Sequence, residues 1–141
     1  MNSLLKLLVV AAIVGGAWHW WSARGDAASE ATAATVAAGG FVDVVRPDGF
    51  PANAVVIMAP ENCPSDAARR AEALFEKLKG AGVPVEKRSS FELSDAGGSD
   101  GDARAKFDAT IKVANGTVPV VFIANSGAAN PDVASVLAQF R

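Results

Sequence analysis

The chain has 141 residues, 13 lysines and arginines against 15 aspartates and glutamates, one histidine and one cysteine, which is room for one small domain. A formal charge of −2 with no basic run provides no footprint for nucleic acid, whose phosphates are held by clustered lysine and arginine. A single cysteine excludes an internal disulfide, and a single histidine, His19, excludes a histidine-built zinc cage and a Ser/His/Asp triad in the domain.

From Leu4 to Trp21 the run LLKLLVVAAIVGGAWHWW matches the ~17 to 25 residues a helix needs to cross a bilayer. Lys6 can snorkel to the headgroups, and Trp18, Trp20 and Trp21 cluster where indoles favour the membrane boundary. Residues 1–21 are therefore expected to be an N-terminal membrane anchor, a single transmembrane helix. The competing reading is a signal segment cleaved near Ala23-Arg24-Gly25, which would leave the domain secreted. The tryptophan cluster favours the anchor, because the cleavage region should turn small and polar. Lys6 and the α-amino group, set against Arg24, orient the N-terminus inside and the domain outside, periplasmic in a bacterium and extracytoplasmic in general. Residues 22–40, rich in Ala, Ser and Gly, read as a flexible tether.

The domain then occupies 41–141, with no Trp, Tyr or His. Phe41 to Val45 suggests an edge strand. Ala54 to Met58 (AVVIM) is a short continuous apolar run, the pattern of a strand covered on both faces. Pro64 can occupy the first turn of a helix in which Ala67, Ala71, Leu74, Phe75 and Leu78 recur at helical spacing, stopped by Gly80 and Gly82. Val83 to Arg88 reads as a second strand, parallel to the first across the helical crossover.

Ser89 to Asp102 is polar, acidic and glycine-rich, a loop. Its Asp95, Asp100 and Asp102 lack the spacing of a calcium-binding hand, and no metal site is expected. Asp102 can cap a helix from Ala103 to about Ala114, with Phe107, Ile111 and Ala114 on one face. Asn115-Gly116-Thr117 matches a glycosylation sequon, but a helix stop accounts for the same residues. Val118 to Ile123 is a further apolar strand, followed by a turn at Asn125-Ser126-Gly127 and a very short edge strand. Asn130 and Pro131 open a last helix carrying Val133, Val136, Leu137 and Phe140. The order β-α-β-α-β-(β)-α is that of a small α/β sandwich.

Cys63 follows a buried strand and immediately precedes Pro64 at a helix start. Unpaired backbone N–H groups and the positive end of the helix dipole favour a thiolate there. The alternative is a small half-buried residue held for packing.

Asn62-Cys63-Pro64-Ser65-Asp66 after a strand, Gly116-Thr117-Val118-Pro119 leading into VVFI, and a glycine-containing turn into a terminal helix together resemble the glutaredoxin branch of the thioredoxin-like superfamily. The likeness runs from about Ala54 to Arg141. It implies an α/β thioredoxin-like (glutaredoxin-type) sandwich, a mixed central sheet flanked by helices. It also implies a cis bond before Pro119, with the Val118 backbone available to pair an extended peptide such as glutathione. Cys63 would be the catalytic thiol, and Pro64, Ser65, Thr117, Val118, Pro119 and the acidic Asp132 would line the substrate groove. Asp66 stands where dithiol members have their second cysteine, so the implied chemistry is monothiol exchange with glutathione or protein mixed disulfides.

The basic residue that these proteins carry shortly before the cysteine is absent from Ala59-Pro60-Glu61-Asn62, and Ala129-Asn130 replaces the Gly-Gly before the last helix. Cys-Pro-Ser-Asp also differs from the Cys-Gly-Phe-Ser of cluster-sharing relatives, so no iron–sulfur cluster is expected, and no cofactor beyond glutathione as co-substrate. The expected partners are the membrane, through the N-terminal helix, and glutathione or a protein thiol. A noncatalytic module that holds a protein partner in the Cys63/Pro119 groove or on the sheet edge is the other function compatible with these residues.

Overall fold

The computed structural model describes residues 29–61, 64–94 and 100–141. The chain divides into two units, residues 1–32 and 33–141. Of the first, the described residues 29–32 are helical. No helix among the described residues is long and apolar enough to cross a membrane, and the run 4–21 lies outside them.

The second unit opens in helical backbone, residues 33–37, here α1. Gly39, at φ 74°, ends it in a conformation that favours glycine, and the N–H of Gly40 donates to the Thr35 carbonyl at 2.9 Å. Val36 is buried in the core. The expected tether through Gly40 is thus corrected over its last residues: a stretch of alanines has high helix propensity, and one valine suffices to seat it on the domain.

A five-stranded mixed sheet follows, with β1 (Val42–Asp43), β2 (Val55–Met58), β3 (Val85–Arg88), β4 (Val120–Ile123) and β5 (Ser126–Ala129) in the order β1-β5-β4-β2-β3. β2 pairs with β3 in parallel, Val55 opposite Val85, and with β4 in antiparallel, Val55 opposite Ile123. The parallel pair is joined by α2 (Asp66–Gly80), since a parallel connection needs a crossover. β4 returns to β5 through the tight turn Ala124-Asn125, with Ala124 at φ 50°. β5 is therefore an internal strand, because Val42 and Asp43 of β1 close its outer side.

Alternation along β2 and β4 divides the core into two layers. Val55, Ile57, Val121 and Ile123 face α2, through Ala71, Leu74 and Leu78, and α4 (Val133–Phe140), through Val136. Val56, Met58, Val120 and Phe122 face Val36, Phe50 and α3 (Gly101–Ala114), through Ala109 and Val113. Phe122 meets Phe50 edge-on at 5.8 Å between ring centroids and Phe91 at 5.9 Å. The polar stretch after β3 is pinned by the Phe91 ring and by Asp48, whose carboxylate accepts from the Ser94 N–H at 2.7 Å.

Two helix starts and one helix face differ from expectation. Ser65 caps α2, accepting from the Ala68 N–H at 3.2 Å, so Pro64 stands one residue before the cap and outside the first turn. Asp100 caps α3, accepting from the Ala103 N–H at 2.7 Å, and Asp102 lies within the helix. The inward face of α3 is Ala109, Thr110 and Val113, and Ile111 is 39% exposed. Thr110 can be buried because its hydroxyl donates to the Lys106 carbonyl at 2.7 Å and accepts from the Val45 N–H at 2.9 Å.

Candidate functional site

The site is built at the end of the sheet where β2 runs out and β4 begins. Seven residues after β2 ends at Met58, Ser65 starts α2, and the Thr117-Val118-Pro119 segment leads into β4 from the opposite direction. The antiparallel pairing of Met58 with Val120 brings these two ends of chain side by side. Cys63 lies in that first connection but outside the described residues, as does Asn62.

The Val118–Pro119 peptide bond is cis. Pro119 is buried, Val118 half-buried and Thr117 exposed. The two carbonyls of this dipeptide are held from different elements. Arg70, in the second turn of α2, donates to the Val118 oxygen from Nη2 at 3.0 Å and from Nε at 3.3 Å. The Asn130 N–H donates to the Pro119 oxygen at 2.7 Å. Two residues on, Asp132 caps α4, accepting from the Ser135 N–H at 2.7 Å. The backbone and side-chain hydrogen bonds from Ser135 hold its carboxyl below the ordinary value of 3.8, since they favour the charged form.

Arg70, Val118-Pro119 and Asn130 therefore join the first turns of α2, the strand-entry loop and the approach to α4. Of the residues expected at the site, Ser65, Val118 and Pro119 belong to this junction, and Asp132 stands at its α4 side as a helix cap. Pro64 lines a separate groove of about 920 Å³ bounded by Pro60, Glu61, Ala68, Arg69, Lys87 and Arg88. Thr117 borders a hollow of about 550 Å³ between α1 and the end of α3.

Charges near the start of α2 are largely matched. Asp66 pairs with Arg69 one turn on, and Lys87 of β3 pairs with Glu72 at 2.6 Å. Arg70 is different: among the described residues no carboxylate pairs with it. No group of three or more metal-ligating side chains occurs among the described residues.

Sequence reasoning misses Arg70 as a site residue. Its sequence context shows only the polar face of an amphipathic helix, and its partner lies 48 positions away. Asp132 carries a readable signal, an aspartate three residues before a serine at a helix start. Comparison with family models, with curated proteins and with solved structures found no match.

Proposed function

We propose that this is a membrane-tethered monothiol exchanger with a thioredoxin-like, glutaredoxin-type domain, acting on glutathione or protein mixed disulfides through Cys63. The observation that carries the reading is the pair of hydrogen bonds from Arg70 to the Val118 carbonyl. They draw the Val118-Pro119 loop to the helix whose capped start follows Cys63 by two residues in the chain. The parallel β2-α2-β3 crossover beside the antiparallel β4-β5 hairpin agrees with the same architecture.

In this reaction the Cys63 thiolate attacks the glutathione sulfur of a protein–glutathione mixed disulfide, forming a Cys63–glutathione disulfide and expelling the protein sulfur as a thiolate. A glutathione thiolate then attacks the Cys63 disulfide, restoring the Cys63 thiolate and releasing oxidised glutathione. In sum, one free glutathione thiol converts a protein–glutathione mixed disulfide into a protein thiol and oxidised glutathione, so the sequence balances without a metal or second cysteine. The helix start after Cys63 supplies the positive potential that favours the thiolate.

The test is the release of glutathione from a glutathionylated protein by the full chain in detergent, with the Cys63 alkylation rate followed across pH. Activity that Cys63→Ser abolishes, together with a thiol titrating well below the free value of ~8.5, is the expected result. An alkylation rate at neutral pH no faster than that of a free thiol would overturn the reading.

A further inference from the structure

β3 is the outer strand of the sheet on the side away from β1. The Val55 N–H donates to the Pro84 carbonyl at 2.9 Å and the Ala59 N–H to the Arg88 carbonyl at 3.0 Å, which fixes the phase of the parallel ladder. In that phase Glu86 and Arg88 turn their N–H and C=O groups toward β2, and Val85 and Lys87 turn theirs away from the sheet. No hydrogen bond among the described residues engages those outward groups. Val85 is half-buried and Glu86, Lys87 and Arg88 are exposed, so the edge is open.

Charged side chains ordinarily blunt an open edge against every partner. Here they are arranged to suit one mate. Glu86 and Arg88 share the face toward Phe50, where the Arg88 guanidinium lies 5.3 Å from the Phe50 ring centroid and its Nη2 meets the Glu86 carboxylate at 3.3 Å. Lys87 lies on the other face, drawn back to 4.6 Å from the Phe75 ring centroid and paired with Glu72 at 2.6 Å. When two such strands run antiparallel with Lys87 facing its own copy, outward groups meet outward groups, and Glu86 of each chain stands opposite Arg88 of the other. The smallest slip that keeps outward groups paired sets Glu86 against Glu86 in one direction and Arg88 against Arg88 in the other.

We infer that β3 is a self-pairing edge whose occupant is a second copy of this chain, joined antiparallel across Lys87 so that two five-stranded sheets become one continuous sheet. The interface is isologous, with its two-fold axis at Lys87, and it closes after a single pairing. The two facing lysines do not oppose it, because each is held to its own Glu72. The groove bounded by Glu61, Pro64, Lys87 and Arg88 then lies beside the seam in each copy, and the pairing stands whether or not Cys63 exchanges disulfides.

Two measurements on the full chain in detergent test the pairing, both in a Cys63→Ser background so that an introduced cysteine is the only thiol. Lys87→Cys places two thiols in a directly facing pair, about 5.5 Å apart at Cα and within reach of a disulfide. Mild oxidation should link that variant into a covalent dimer, while Ser89→Cys, which faces Val85 of the mate, should stay unlinked. Sedimentation in density-matched detergent gives the dissociation constant of the charge variants. Glu86→Arg sets like charges opposite each other at both symmetric positions and should weaken association about tenfold. Adding Arg88→Glu restores opposite charges and should return the constant to within about threefold of the parent. A chain that stays monomeric, equal linking of the two cysteine variants, association that Glu86→Arg leaves unchanged, or a double variant no tighter than the single would each overturn the inference.

Discussion

Gly116→Ala should destabilise the domain by steric contact alone, and the structure sets the size of the effect. A Cβ built at Gly116 would lie 2.4 Å from the Ala129 Cβ and 3.1 Å from the Val113 carbonyl oxygen. Ala129 is 4% exposed and is fixed in β5 opposite Val120, so it cannot retreat. The yielding part must be the turn between α3 and β4, which the Gly116 N–H anchors to the Val113 carbonyl at 3.0 Å. Overpacking of this kind costs ~1–3 kcal/mol, and alanine returns ~0.4–1 kcal/mol by restricting the unfolded chain. The net loss is about 1.5 kcal/mol, a fall in Tm of roughly 5 to 10 °C for a domain of this size.

Far-UV circular dichroism melts of the full chain would measure it, since the folded unit lacks Trp and Tyr. Ala129→Gly removes the opposing methyl, so the double variant should be more stable than the sum of the single losses by about 1 kcal/mol or more. Strict additivity, or a Gly116→Ala protein within about 0.5 kcal/mol of the parent, would refute the reasoning.

Thr110→Val leaves the Val45 N–H without its acceptor and should cost ~1–3 kcal/mol, while Thr110→Ser keeps the hydroxyl and loses only a buried methyl worth ~0.8 kcal/mol. Chemical denaturation that ranks valine as stable as serine would contradict this. Asp132 has a folded pKa below its ordinary value, so its contribution is present above about 4 and is lost as pH falls through the lower folded value. Asparagine at this position would cap α4 without a charge, so the stability difference between Asp132→Asn and the parent should shrink on acidification below about pH 4. Melts from neutral pH down to strong acid check the trend, and a difference that stays constant across that range would show that the carboxylate contributes nothing through its charge.

The parts of the fold legible in the sequence are those whose burial is written as an uninterrupted or strictly periodic pattern. AVVIM and VPVVFI contain the two strands buried on both faces, and Ala71, Leu74 and Leu78 mark the inner stripe of α2. Where one or two residues decide, the pattern is too thin. Val36 alone seats α1, inside a run whose composition also describes a linker. On α3, Ile111 is the more hydrophobic candidate, yet Thr110 turns inward because the N–H of Val45 needs an acceptor there. That preference belongs to the tertiary structure, and no helical period contains it. The site divides in the same way: Val118-Pro119 is legible as a motif, whereas Arg70 becomes part of the site only when the crossover carries α2 alongside it.

The two-sided suspension of Val118-Pro119 makes the start of α4 a distant listener. Any ligand that tugs on the Val118 amide also loads the Pro119 carbonyl, and hence the 2.7 Å bond from Asn130. Occupancy at one end of the dipeptide should therefore be heard in the hydrogen-exchange rate of the Asn130 amide, a residue that the ligand itself need never touch.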